Sequence, residues 1–157
     1  MENNKDYQGW IEAIQERNWT LQFVPEELRT KEMCLVAVEK DGMNLGDVPE
    51  DMITPELCEI AVTQTGYALE LVPEELRTIE LCEVAVSNSG WALEFVPEEF
   101  KTLELCKYAI EDCLKWNDNL LRKYEFENLF EKYVPVEVQE ELAEKYDIEL
   151  PDKDKGR

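Results

Sequence analysis

The sequence contains no histidine. That removes the commonest general base and the commonest transition-metal ligand, and it excludes Ser–His and Cys–His nucleophilic mechanisms. Glycine and proline are sparse, at 6 and 7 of 157 residues, too few for a fibrous or disordered chain. No apolar run approaches the ~20 residues that a membrane-spanning helix requires, and no charged-then-apolar leader opens the sequence. Neither a D-x-D-x-D-G calcium loop nor a glycine-rich phosphate cradle is present. Basic side chains are few as well: 16 against 37 acids leave a net charge of −21. Such a field repels nucleic acid and anionic membrane. These absences predict a cytoplasmic, non-enzymatic protein with no catalytic residues, no cofactor and no metal, and with neither direct nucleic-acid binding nor membrane binding.

What is present is a period. Pro25, Pro49, Pro73 and Pro97 are spaced by 24 residues, as are Thr30, Thr54, Thr78 and Thr102. Cys34, Cys58, Cys82 and Cys106 keep the same step, followed by Ala37, Ala61, Ala85 and Ala109 and by Val38, Val62, Val86 and Ile110. Gly42, Gly66 and Gly90 close successive units, and Trp19, Met43, Tyr67 and Trp91 open them. Stepping back from the first unit lands on Trp10, Ala13 and Ile14, a degenerate half-unit. The acidic excess belongs to this array, since residues 1–114 hold 25 acids and 8 bases whereas 115–157 hold 12 and 8.

Each threonine, with a glutamate two residues on, predicts a helix N-cap, and Pro55 at the first helical position agrees. Helices are expected at 31–41, 55–65, 79–89 and 103–113, each ended by a glycine in the left-handed conformation. The proline breaks the remainder of the unit into one or two short helical turns. Nothing alternates with the period of two that a strand needs. The expected fold is all-α, an α-solenoid of 24-residue repeats, each an α-helix plus short helical or 3₁₀ turns, with helical caps at both ends. As a single domain it divides into a degenerate N-terminal cap helix at 1–18, four tandem repeats at 19–113, a C-terminal helical cap at 114–150 and a disordered tail at 151–157.

The unit aromatic-x-L-x-x-V-P-E-E-L-x-T-x-E-L-C-x-x-A-V-x-x-x-G resembles the short tandem repeats of the bacterial family called domain of unknown function 4116. The resemblance covers about residues 19–113, with "GYALELVPEELRTIELCEVAVSNSG" and "GWALEFVPEEFKTLELCKYAI" its most specific phrases. It implies a stacked helical architecture and no chemistry. The second unit departs from the pattern at Gly46-Asp47 and Met52-Ile53.

One cysteine per unit cannot converge on a metal, because stacked helices lie ~8–10 Å apart whereas zinc needs thiolates ~2.3 Å from one ion. The cysteines read as small buried residues, with Cys113 as the exposed exception. The aromatic openers read as core or half-buried spacers. Glu32, Glu56, Glu80 and Glu104 complement helix dipoles. The acidic pairs after each proline, Glu26-Glu27, Glu50-Asp51, Glu74-Glu75 and Glu98-Glu99, complement dipoles too, but two per unit exceed what one turn uses. Stacking would align them as a carboxylate ridge interrupted by Arg29, Arg77 and Lys101. The series Lys31, Pro55, Ile79, Leu103 grows apolar toward the C-terminus, so that Ile79 and Leu103, with Tyr108, form a candidate interaction patch.

The function expected from these features is protein–protein interaction, the ridge and patch engaging a partner with a basic surface. The alternative is a nucleic-acid mimic that inhibits a DNA- or RNA-binding enzyme, as an anti-defence protein would. Two carboxylates per ~10 Å step give a charge every ~5 Å, near the ~3.4 Å spacing of phosphates. A carboxylate hydrolase or cation-binding protein is a third class.

Overall fold

A computed structural model describes residues 3–17, 21–115 and 129–146. The elements are α1 (Asn3–Arg17), α2 (Lys31–Lys40), α3 (Pro55–Gln64), α4 (Ile79–Asn88), α5 (Leu103–Lys115) and α6 (Val136–Tyr146), with short 3₁₀ segments between the repeat helices. Among the described residues there is no strand. The fold is all-α, and the helix limits agree with the threonine-to-glycine reading to within about two residues.

Capping sets where each helix starts. The side-chain oxygens of Thr30, Thr54, Thr78 and Thr102 accept the backbone N–H of Met33, Leu57, Leu81 and Leu105, each at 3.3 Å. The helix then runs until Ala37, Ala61 and Ala85 accept the amides of Asp41, Thr65 and Ser89, residues that are extended rather than left-handed. The glycines therefore do not end the helices. Gly66 and Gly90 instead open the six-residue 3₁₀ segments Gly66–Leu71 and Gly90–Phe95, and no repeat glycine has a positive φ. A second 3₁₀ turn follows each proline, at Glu26–Leu28, Glu50–Met52, Glu74–Leu76 and Glu98–Phe100. The proline's fixed φ, near −50°, separates the two turns, as expected from a residue that lacks the N–H a continuing helix needs.

Each repeat packs on its neighbours in the chain. Successive α-helices from α1 to α5 are in contact, as are the successive 3₁₀ segments Gly42–Asp47, Gly66–Leu71 and Gly90–Phe95. The core is correspondingly columnar: Leu21, Leu45, Leu69 and Leu93 form one buried column, the four repeat cysteines a second, the four repeat alanines a third. Ile14 of α1 continues the column of Val38, Val62, Val86 and Ile110, so the half-unit is seated in register. A buried side chain of this size contributes about 1.5–3 kcal/mol only if a neighbouring repeat covers it, which makes stacking obligatory.

At both ends a tyrosine donates to a repeat glutamate: Tyr7 of α1 to Glu32, Tyr133 to Glu94, and Tyr146 of α6 to Glu111. Residues 129–133 are helical, and Leu129, Phe130, Val134, Leu142 and Ala143 join the core. Residues 1–2 and 18 of the expected N-terminal cap, 19–20 of the first repeat, 116–128 and 147–150 of the expected C-terminal cap, and the expected tail at 151–157 lie outside the described residues.

Candidate interaction surface

The Pro-Glu-Glu turn is the element that exposes carboxylates. All eight of Glu26, Glu27, Glu50, Asp51, Glu74, Glu75, Glu98 and Glu99 are exposed, and seven have no ion-pair partner among the described residues. The exception is Glu98, whose carboxylate meets Lys101 at 2.9 Å. Lys101 itself is nearly buried, with its ammonium 5.6 Å from the Tyr133 ring centre. These turns are only three residues long and no side chain caps them. A single 3₁₀ turn sums few peptide dipoles, so dipole complementation explains these pairs less well than it explains Glu32, Glu56, Glu80 and Glu104 on ten- to thirteen-residue helices. Glu26, Glu27 and Asp51, with Arg29, Pro49 and Met52, line one open depression of about 430 Å³ across the first two units.

Arg29 and Arg77 do not cut the ridge as free cations, because each guanidinium is turned into the joint with the next repeat. Arg29 donates through Nε to the Val24 carbonyl at 3.0 Å and through Nη1 to the Asp47 carbonyl at 2.5 Å. Arg77 repeats this one double unit later, to Val72 and Phe95, both at 2.9 Å, and adds Glu70 at 3.2 Å. The same units reach backwards. Lys40 donates to the Ile14 and Gln15 carbonyls at the end of α1, and Asn88 to the Val62 and Thr63 carbonyls at the end of α3. Ile53 and Lys101 occupy the arginine position in the intervening units. The joints thus alternate in chemistry, and the structural repeat is two 24-residue units.

The repeat helices also carry an apolar series that sequence reasoning missed. Val36, Ile60, Val84 and Tyr108 recur at the same 24-residue step; the first two are half-buried, while Val84 is 37% and Tyr108 54% exposed. The signal was legible as spacing but was masked by the stronger Ala-Val pair that follows it. Val84 of this series lines a groove of about 290 Å³ between α3 and α4, together with Leu76, Leu81 and Pro55 and the polar side chains of Glu56, Glu59, Glu80 and Thr78. Met52 lines the acidic depression and its repeat equivalent Leu76 lines the groove. Of the expected patch, Tyr108 and Ile79 are exposed and Leu103 is half-buried. Tyr108 is the equivalent of Val84, and Ile79 the equivalent of Pro55.

The openers are less buried than expected. Met43 and Tyr67 are 41% and 40% exposed, Trp91 is half-buried, and Trp19 lies outside the described residues. Each follows a glycine that holds the chain against the next repeat, which turns the side chain along the surface. Tyr67 stacks edge-on with Phe95, ring centres 6.0 Å apart.

All five cysteines are buried and unpaired, Cys113 included, so the exposed thiol expected at Cys113 is not found. Its sulfur lies over Gly90, 3.0 Å from where a Cβ would stand. Burial pushes Cys58, Cys82 and Cys106 up to about 11 and Cys113 to about 12. Among the described residues no group of three or more Cys, Asp or Glu side chains is arranged to hold a metal ion, and no helix is long and apolar enough to cross a membrane.

A family model described as "Domain of unknown function (DUF4116)" matches residues 10–53 and 54–101. Each match takes in roughly two units, the first beginning inside α1 and the second ending before α5. No curated protein and no solved structure matches the chain.

Proposed function

This chain belongs to the DUF4116 family, and from that premise we propose a non-enzymatic protein–protein interaction module whose carboxylate ridge receives a partner with a basic surface. The family name carries no activity, so the reading rests on the site. The observation that supports it is the state of the eight acids after the prolines: all exposed, seven without a cation among the described residues, on turns too short to need them. Unpaired charge held in rows on a rigid scaffold sets association rate and orientation more than final affinity. Binding through it weakens as salt rises, since the Debye length shortens to ~8 Å at physiological ionic strength.

The test is affinity capture by the full chain at low and high salt, with partners identified by mass spectrometry. The expected partners are basic, are released at high salt, and are lost when Glu74, Glu75, Glu98 and Glu99 are all changed to lysine. Undiminished capture by that variant would sink the ridge. Displacement of the captured partner by duplex DNA is the outcome that would transfer the reading to nucleic-acid mimicry.

A further inference from the structure

We propose that the groove between α3 and α4 holds a basic amphipathic helix of a partner protein, with an apolar side chain over Leu76, Leu81 and Val84 and lysine or arginine side chains against Glu56, Glu59 and Glu80. The inference rests on the interaction reading above and gives it a second, separate contact surface. Val84 is 37% exposed in the middle of α4, whose apolar residues Leu81, Cys82, Ala85 and Val86 are covered while Ile79, at its first turn, is exposed too. Its position gains nothing for the repeat core, and an occupant that removes it from water would gain from doing so.

Charge selects the occupant. The positions equivalent to this lining one repeat before and one repeat after carry different charges. One repeat before, Lys31 and Leu35 stand where the groove has Pro55 and Glu59, and Glu32 is engaged by Tyr7. One repeat after, Glu104 has Lys107 at 3.7 Å. In the groove itself Glu56, Glu59 and Glu80 have no cation and no hydrogen-bonding side chain among the described residues. An apolar floor edged by uncompensated carboxylates fits an occupant that is apolar on one face and basic along its flanks. The positions of the floor recur in the neighbouring repeats as Met52, Leu57 and Ile60 and as Phe100, Leu105 and Tyr108, at a step of ~8–10 Å. Residues seven apart on a helix lie on one face about 10.5 Å apart, so one helix can seat successive anchors.

The experiment uses the full chain and a fluorescent synthetic helix of leucine and lysine with leucines at heptad spacing, read by anisotropy and by backbone amide NMR shifts. Controls are a scrambled peptide of the same composition and a basic proline-rich peptide, whose side chains three apart recur at about 9.3 Å. The expected result is binding at least about tenfold tighter than either control, with shifts centred on residues 56–60 and 76–84. Val84→Glu, which adds negative charge while removing the apolar floor, is expected to weaken binding about tenfold, and its far-UV circular dichroism reports that the fold is kept. Equal binding of the scrambled peptide, preference for the proline-rich one, no saturation at roughly 100 μM, or an unchanged Val84→Glu variant would overturn the groove. Shifts confined to Glu26, Glu27, Glu98 and Glu99 would also overturn it while leaving the ridge standing. Conversely, lysine substitutions at those four positions that abolish partner capture but spare the peptide would separate the two surfaces.

Discussion

Gly66 lies so close to Ala85 of the next repeat that a Cβ on the glycine would come within 2.5 Å of the Ala85 carbonyl oxygen. The obstacle is backbone, so it cannot swing aside. Gly66→Ala is expected to destabilise the protein by about 1–3 kcal/mol or more through overpacking. Gly46→Ala meets only the flexible end of Leu71, at 3.4 Å, and Gly9→Ala meets nothing within 4 Å. Gly9→Ala is expected to stabilise by about 0.5–1 kcal/mol, as alanine does inside a helix. Urea titration of the three variants checks the ranking.

The thiols report burial. With folded values near 11 to 12 for Cys58, Cys82, Cys106 and Cys113, only about one thiol in a thousand or fewer is ionised at pH 8 at these positions, and access is blocked as well. The native protein is expected to leave all five cysteines unlabelled by a disulfide reagent at pH 8, and to release all five together on unfolding. Rapid labelling of Cys113 alone would show that its cover over Gly90 opens.

Arg77 offers a test of the joint. Arg77→Ala removes the donor from three backbone carbonyls at once. The site is part-exposed, so the expected loss is about 1–3 kcal/mol rather than the sum of three buried bonds. Arg77→Lys is expected to recover little, because an ammonium on a flexible stem cannot span two carbonyls of successive repeats as the planar fork does. Thermal melts and a comparison with Ile53→Val, at the joint without an arginine, check the assignment.

The bond from Tyr146 to Glu111, 2.5 Å long, ties α6 to α5 and should respond to pH at both ends of the scale. The tyrosine hydroxyl, aided by Lys145 at 3.7 Å, holds Glu111 below its ordinary 4.5, and the contribution is lost as pH falls through that lowered value. Burial and the same bond raise Tyr146 above its ordinary 10.0, so its contribution is present below pH 10 and lost as pH rises through the folded value. The stability difference between wild type and Tyr146→Phe is expected to be flat near neutrality and to shrink at both extremes, measured by denaturant titration across pH.

Helix placement was legible because threonine, proline and the apolar stripe all pointed to the same limits. The glycines were placed correctly and explained wrongly: a periodic glycine after a helix suggests a left-handed cap, whereas the reason here is the carbonyl of Ala61, Ala85 or Ala109 in the following unit, which sequence spacing does not display. The arginines were read as surface charges because a side chain's choice between solvent and a neighbour's carbonyls depends on the stacking geometry. Asn44 marks the same boundary. It is 6% exposed, accepts the Leu21 amide at 3.1 Å and donates to Ala37 and Asp41, where later units carry Ala68 and Ala92. The periodic acidic pairs were plain from the sequence, while the groove between α3 and α4 required knowing which face of the helices stays uncovered.

The alternation of joints fixes the increment by which this architecture can grow. Duplicating residues 54–101 would set each arginine-bearing unit beside its usual neighbours and preserve every fork. Inserting a single unit would set two arginine-bearing units, or two without arginine, side by side, a neighbour pairing that the four repeats do not contain. The forks are therefore kept when the array grows by two units, whereas a single-unit insertion creates a seam that residues 19–113 do not contain.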